Sequence, residues 1–534
     1  MVVKSSNALP GEPLPLDEHF EDFSTDDNDA KVMRFLNIED NELVHQRFLI
    51  VYGKVPGIKG RGSIVVHHPD FPSLTFPAVD GYFKALAQLD TGKNCLKFEY
   101  ILEDKCICEG LLTVENVSDQ DKPPLHLAIV VASDSPKVFD APPETSGPGM
   151  NDLDAAISKL RCAAYLWQAF TAEQMRRHGF GRMTFCLQEV HEQDTMARDG
   201  KERMVPQVHV VKSKLTLAEI QDKKYAQQWS APPGAEHCGG GQLSIARDAL
   251  KESGLFNDDH CVACLTMDSH WDPEQKVLLG HGAVASTYPT PRTGVFGSHT
   301  THAWPACAEE IADKFMDTTK TDARYLANDA GESGEYWQAA NIGMAAFLHM
   351  ASVPMSVTRA PSGLTARGYK HFNRAFMACE PGKEGPILQR DEGGAYLHRL
   401  NAIRLRYNPC IAPSAERKAQ DSNAASVFDI STDNGIVLEC SQGVTLICIQ
   451  LNGKYRTHLE YTAENLERRQ SGIIAAEQDE LIAEFPTRVV LSKNRLRELV
   501  GQWTSTDNLS IIVDTHAANR KVFSDIQKSV KYAD

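Results

Sequence analysis

The sequence predicts an α+β fold in which a mixed central region is flanked by two β-rich, sandwich-like modules. Three observations carry this. Short β-branched and aromatic runs separated by Gly, Pro and Asp fill residues 43–131, in RFLIVYGKV, GSIVVHH, LKFEYIL, GLLTVENV and LHLAIVVA. Helical and strand-like patterns then alternate as far as about residue 410. Strand runs return near the carboxyl end in GIVLECS, VTLICIQL, RVVLS and LSIIVD. At 534 residues the chain exceeds what one hydrophobic core holds, and roughly three domains are expected.

Residues 1–30 hold Pro-containing turns and the acidic run EDFSTDDND, the composition of a disordered, solvated tail. Residues 31–135 form the first β-rich domain; GIKGRG at 57–62 reads as a hairpin turn and not a phosphate loop, because no helical pattern follows it. SDSPKVFDAPPETSGPGM (133–150) is a linker by composition. The central α+β domain, 150–410, opens on the clearest helix. Asp152 caps it, Leu153, Ile157, Leu160, Ala164, Trp167 and Thr171 recur at helical spacing, and Gly179 supplies the left-handed residue after its basic last turn. VPQVHVVKS and CVACLTMD read as strands and LAEIQDKKYAQQW as a helix. After the polar stretch AERKAQDSNAAS, residues 426–534 form the second β-rich domain.

A formal net charge of −16 argues against nucleic acid or an anionic membrane surface as the main partner. No window supplies the ~20 consecutive apolar residues of a membrane span, and the amino terminus lacks a signal-peptide pattern, so a cytoplasmic location is expected. Thirteen cysteines without framework spacing fit a reducing compartment, and the Cys261–Cys264 pair reads as two buried small hydrophobes.

The segment GESGEYWQAANIGMAAFLHMASVPMSVTRAPSGLTARGYKHFNRAF, residues 331–376, carries the chemistry. Its first half is a helix with Trp337, Ala340, Met344, Leu348 and Ala351 on one face, ended by Pro354. In many metallopeptidases such a helix holds two histidines at i and i+4, a Glu at i+1 that activates water, and a reversal at Gly that brings in a third ligand. Together with LRCAAYLWQAFTAEQMRRHGFGR, MDSHWDPEQKVLLGHGA, GVFGSHTTHAWP and TKTDARYLANDAGESGEYWQAANIG, this segment resembles the zinc metalloproteinase family of fungi and yeasts, some members of which continue into a jacalin-like lectin domain. The resemblance implies a zincin-like metallopeptidase fold for the central domain.

Against the family pattern His-Glu-x-x-His-x-x-Gly-x-x-His, only the first His is kept, as His349. Met350 stands for the Glu, Val353 for the second His, Ser356 for the Gly and Arg359 for the third His, while Thr365 takes the place of the Met in the following turn. Val has no lone pair and a guanidinium no acceptor, so neither zinc nor another cofactor is expected. The candidate catalytic residues are His349, Arg359 and Glu335; Trp337, His302, His299 and Glu332 are the candidate ligand-binding residues. Arg359 either meets an anionic or carbonyl-bearing ligand or pairs internally with Glu332 or Glu335, for which helix capping is the alternative to base catalysis. A relocated metal cluster would draw on His349, His302, His299 and His281. The favoured function is a pseudo-peptidase that binds a small molecule or peptide in the former cleft, its enzymatic form being a metal-free step on a small metabolite of a fungal biosynthetic pathway. A non-catalytic protein-interaction module and an active zinc metallopeptidase with a non-standard site are the alternatives.

Overall fold

The computed structural model describes residues 32–526 apart from 118–120, 231, 235, 237, 239–240, 414–427, 432–434, 463–484 and 505. The acidic tail and the polar stretch AERKAQDSNAAS lie outside the described residues. Several sheets and a set of helices make a mixed α/β molecule. None of its described helices is long and apolar enough to cross a membrane.

The first sheet has eight strands, with Arg34–Phe35 at one edge and Glu42–Val44 at the other. Laid flat, it would separate these edges by roughly 34 Å, whereas the seven residue steps from 35 to 42 reach at most ~25 Å. The sheet therefore curls back on itself. Phe35 packs on Phe98 at 4.9 Å, and a Cβ on Gly110 would lie 2.7 Å from Met33 Sδ. This corrects the sandwich expectation for the first module: one continuous sheet closes over its own core. The GIKGRG turn joins strands Phe48–Lys54 and Arg61–His67, which are not neighbours in the sheet, so it is a connection and not a hairpin.

The strand Leu125–Val131, grouped by pattern with the first β run, instead lies in a five-stranded central sheet. It pairs in parallel with Val208–Lys212 and Cys261–Thr266; Arg292–Gly297 pairs in parallel with the latter, and Val284–Ser286 adds an antiparallel edge. Every residue of Leu125–Val131 is buried, as a strand covered on both faces requires. Cys261 and Cys264 fall in different core clusters, one on each side of the sheet, so they do not act together as a chelating pair. The run VPQVHVVKS splits into two strands, LAEIQDKKYAQQW gives only the single turn Leu217–Ile220 and a 3-10 turn, and the helix Gly241–Ser253 is one the pattern did not announce.

The helix Leu153–Arg177 forms as its capping signals predict. Asp152 accepts the Ala155 N–H at 3.0 Å, and Gly179 has φ 79°. It is buried almost all round, including Glu173 and Arg177. Arg177 joins Glu173 (2.9 Å) to Glu392 (2.6 Å), tying the helix to a distant loop. The carboxyl-terminal strands form a three-stranded and a four-stranded sheet around a second core. Strand Val444–Leu451 gives Ile447 and Ile449 to that core and Leu446 and Cys448 to the main one, which docks the two together.

Candidate functional site

The site is built on the helix Tyr336–Ser352, which lies hard against the strand Arg292–Gly297 and the turn Ser298–Ala303. Glycines allow this approach: a Cβ on Gly294 would come within 2.2 Å of the Met350 carbonyl oxygen, and one on Gly343 within 2.0 Å of Thr300 Oγ1. Trp167 Nε1 donates to the Met344 carbonyl (2.8 Å), and Asn341 and Asn373 exchange hydrogen bonds at 2.9 and 2.8 Å. These contacts fix the helix axially and so set where His349 stands, three residues before its last.

Beyond Ser352 the chain makes the 3-10 turn Val353–Met355 and reverses at Ser356, whose φ is 74°. The resemblance implies Gly at this position, and a left-handed backbone is a physical reason for one; Ser adopts it at a cost of ~1–2 kcal/mol. The turn is held from outside. Asn408 Nδ2 donates to Ser356 Oγ (3.3 Å), Arg520 Nη2 to the Ser356 carbonyl (3.0 Å), and Asn401 clasps the Thr358 backbone at 3.1 and 2.8 Å. Arg404 donates to Thr358 Oγ1, and Asp514 accepts from both Arg404 (3.0 Å) and Arg520 (2.6 Å). Thr365 Oγ1 accepts the Ala360 N–H at 2.9 Å, ordering the backbone next to Arg359. Nothing near the motif announces Asn401, Arg404, Asp514 or Arg520, because they arrive from segments 40 to 160 residues further on, roughly, by tertiary packing.

His349 is half-buried, and burial, followed by the charge of Arg359, pushes its imidazole down to about 4, so the ring is neutral at pH 7. Arg359 is exposed and has no carboxylate partner among the described residues. The internal-pair reading is corrected by what its proposed partners do. Glu332 binds Arg367 (2.6 Å) and lies 3.7 Å from Lys370 Nζ; Glu335 holds Lys320 and accepts from Trp337 Nε1 at 2.6 Å.

The structure separates the remaining candidates from this end. Glu335 precedes the helix, Trp337 is in its first turn, and His302 packs on Tyr336 at 4.9 Å. The thirteen residues from Tyr336 to His349 place these groups roughly 20 Å from His349. His302 is buried and pushed down to about 3 by that burial, then by Lys159. His281 and His299 meet at 4.4 Å, and His299 Nε2 lies 3.5 Å from Asp329 Oδ2. Trp337 and His302 therefore do not line one pocket with His349, and among the described residues His349, His302, His299 and His281 do not form the relocated metal cluster. Among the described residues no three His, Cys, Asp or Glu side chains are arranged to hold a metal ion.

A model of the Metallopep family, described as "Putative peptidase family", matches residues 32–446. The chain belongs to this family. Two yeast proteins are similar over most of the chain: "Putative zinc metalloproteinase YIL108W" of Saccharomyces cerevisiae, 32% identical over 82% of the chain and 64% of its own length, and "Putative zinc metalloproteinase C607.06c" of Schizosaccharomyces pombe, 34% identical over 80% and 67%. The chain thus spans about two thirds of the length of these relatives. A solved structure, catalytic inactive OgpA of Akkermansia muciniphila in complex with an O-glycopeptide, aligns with a TM-score of 0.40 at 12% identity, covering 76% of this chain and 92% of that one. Zinc, which the relatives' names imply, does not fit the side chains that this chain carries at 349, 350, 353 and 359. Imidazole, thioether, isopropyl and guanidinium groups at 349, 350, 353 and 359 offer one strong donor and a fixed cation.

Proposed function

We propose that this Metallopep chain is a pseudo-peptidase: a metallopeptidase-like, zincin-like scaffold whose former metal position binds an anionic or carbonyl-bearing small molecule or peptide. The observation that carries this reading is the pairing of a neutral imidazole, His349, with the guanidinium of Arg359, which no carboxylate among the described residues neutralises. Arg359 supplies a planar fork of N–H donors for a carboxylate, phosphate or polarised carbonyl, and His349 supplies one further donor or acceptor. Met350 offers no carboxylate to take a proton from water, and among the described residues no carboxylate pairs with Arg359, so binding rather than hydrolysis is the chemistry the pair supports. A metal-free step on a small metabolite is the enzymatic form of the same reading.

Zinc content is the test. Full-length protein purified without added metal and dialysed against a weak chelator is expected to carry no stoichiometric zinc by elemental analysis. Retention of about one zinc per chain would overturn the reading and return the chain to the active metallopeptidases.

A further inference from the structure

A pair of thiols lies beneath the same turn, and the chemistry proposed for the motif residues makes no use of it. Cys261 is the first residue of the central strand Cys261–Thr266, and Cys410 follows the helix Arg399–Arg406 by four residues. Both are buried, and Cys410 Sγ donates to Cys261 Sγ at 3.9 Å. Their surroundings reach the motif turn directly. Cys261 Sγ is 3.6 Å from the Pro354 carbonyl, and the Cys410 N–H is held by Asn408 (3.0 Å), whose amide also donates to Ser356.

We propose that Cys261 and Cys410 are a redox-active thiol pair that hydrogen peroxide closes to a disulfide under the turn at 353–359. Cys261 is the attacking sulfur: its register partner on the neighbouring strand is Arg292, and a cation beside a thiol favours the thiolate. The hydrogen bond from Cys410 and then the Arg292 charge lower the Cys261 thiol against its burial, whereas Cys410 is raised. The Cys261 thiolate attacks one peroxide oxygen, the O–O bond breaks, and with one proton taken up a sulfenic acid and water result. The Cys410 sulfur then attacks the sulfenic sulfur, losing its proton, and the S–O bond breaks to release a second water. Both thiols are oxidised and the peroxide is reduced. Bond formation draws together two sulfurs that now stand 3.9 Å apart, next to Asn408 and its contact to Ser356.

The test is non-reducing peptide mapping of the full chain after brief exposure to hydrogen peroxide, with remaining thiols alkylated in denaturant. The expected result is a linked Cys261–Cys410 peptide that dithiothreitol removes. In Cys410→Ala the expected product is a dimedone adduct at Cys261. The exposed Cys95 and Cys106 serve as internal controls for oxidant reaching the protein. Full alkylation of Cys261 and Cys410 when the controls are oxidised would overturn the proposal, as would linkage of Cys410 to nearby Cys186. The wild-type map decides the matter even where the alanine variant fails to fold, and it does not depend on what the motif turn binds.

Discussion

Truncating Arg359 removes one of the two influences that keep the His349 imidazole neutral. Burial is the larger and stays, while the charge repulsion goes, so in Arg359→Ala the His349 value rises from about 4 without reaching the ordinary ~6.5. Titration of the imidazole by NMR reads this directly, and an unchanged value would show that the guanidinium does not act on the ring. Because Arg359 is exposed and Glu332 and Glu335 are engaged elsewhere, the variant should stay within ~0.5 kcal/mol of wild-type stability. Affinity for an anionic ligand should fall by more than ~1.5 kcal/mol, and Arg359→Lys should recover only part of it, since a point charge lacks the planar fork. A lower melting temperature with unchanged affinity would make Arg359 a structural residue.

At the scale of an element, the motif turn is held less by its own helix than by the carboxyl-terminal sheet. Asp514 is the joint: it bridges Arg404, which reaches Thr358, and Arg520, which reaches the Ser356 carbonyl. Asp514→Ala leaves the buried Arg404 and the half-buried Arg520 without their carboxylate, a change expected to cost ~3–5 kcal/mol. The local signature distinguishes this from general weakening. Amide exchange at Thr358 and Ala360 should accelerate more than in the helix Leu153–Arg177, and an equal change in both would show that the bridge supports the fold but not the turn.

For the whole molecule, buried histidines set the acid limit. His178, His281 and His302 are each pushed down to about 3, with burial first among the causes; Arg399 adds to it at His178, His299 at His281 and Lys159 at His302. Between the unfolded value near ~6.5 and these folded values the unfolded chain takes up protons that the folded chain refuses. Stability is therefore whole above pH ~6.5 and falls as the pH drops below it, by up to ~1.4 kcal/mol per pH unit for each histidine. His270, raised by Asp140, works in the opposite sense, but it is exposed and stands against these three and against His349, which is also lowered. Carboxylates held low, such as Glu460 at about 2, contribute their loss only at more acid pH. Urea unfolding at pH 7, 6 and 5 checks the sign, and a flat stability across that range would exclude it.

Local signals were legible wherever the sequence carries the cause in neighbouring residues. Asp152 and Gly179 bound a helix because a cap and a left-handed residue act within one turn, and the inability of Met350, Val353 and Arg359 to act as strong zinc donors is a chemical fact of the side chains themselves. Spacing along the helix already implied that Glu335 and His349 stand at opposite ends, since fourteen residues rise roughly 21 Å. What the sequence could not contain is which distant segments meet. A near-continuous apolar run places Leu125–Val131 in a sheet without saying which sheet, and two thiols 149 residues apart carry no sign of each other. Only the tertiary structure decided that Cys410 lies against Cys261 and that Arg404, Asp514 and Arg520 hold the motif turn. Such contacts arise where whole surfaces pack, and the free energy that selects them is distributed over both cores instead of residing in any local run of residues.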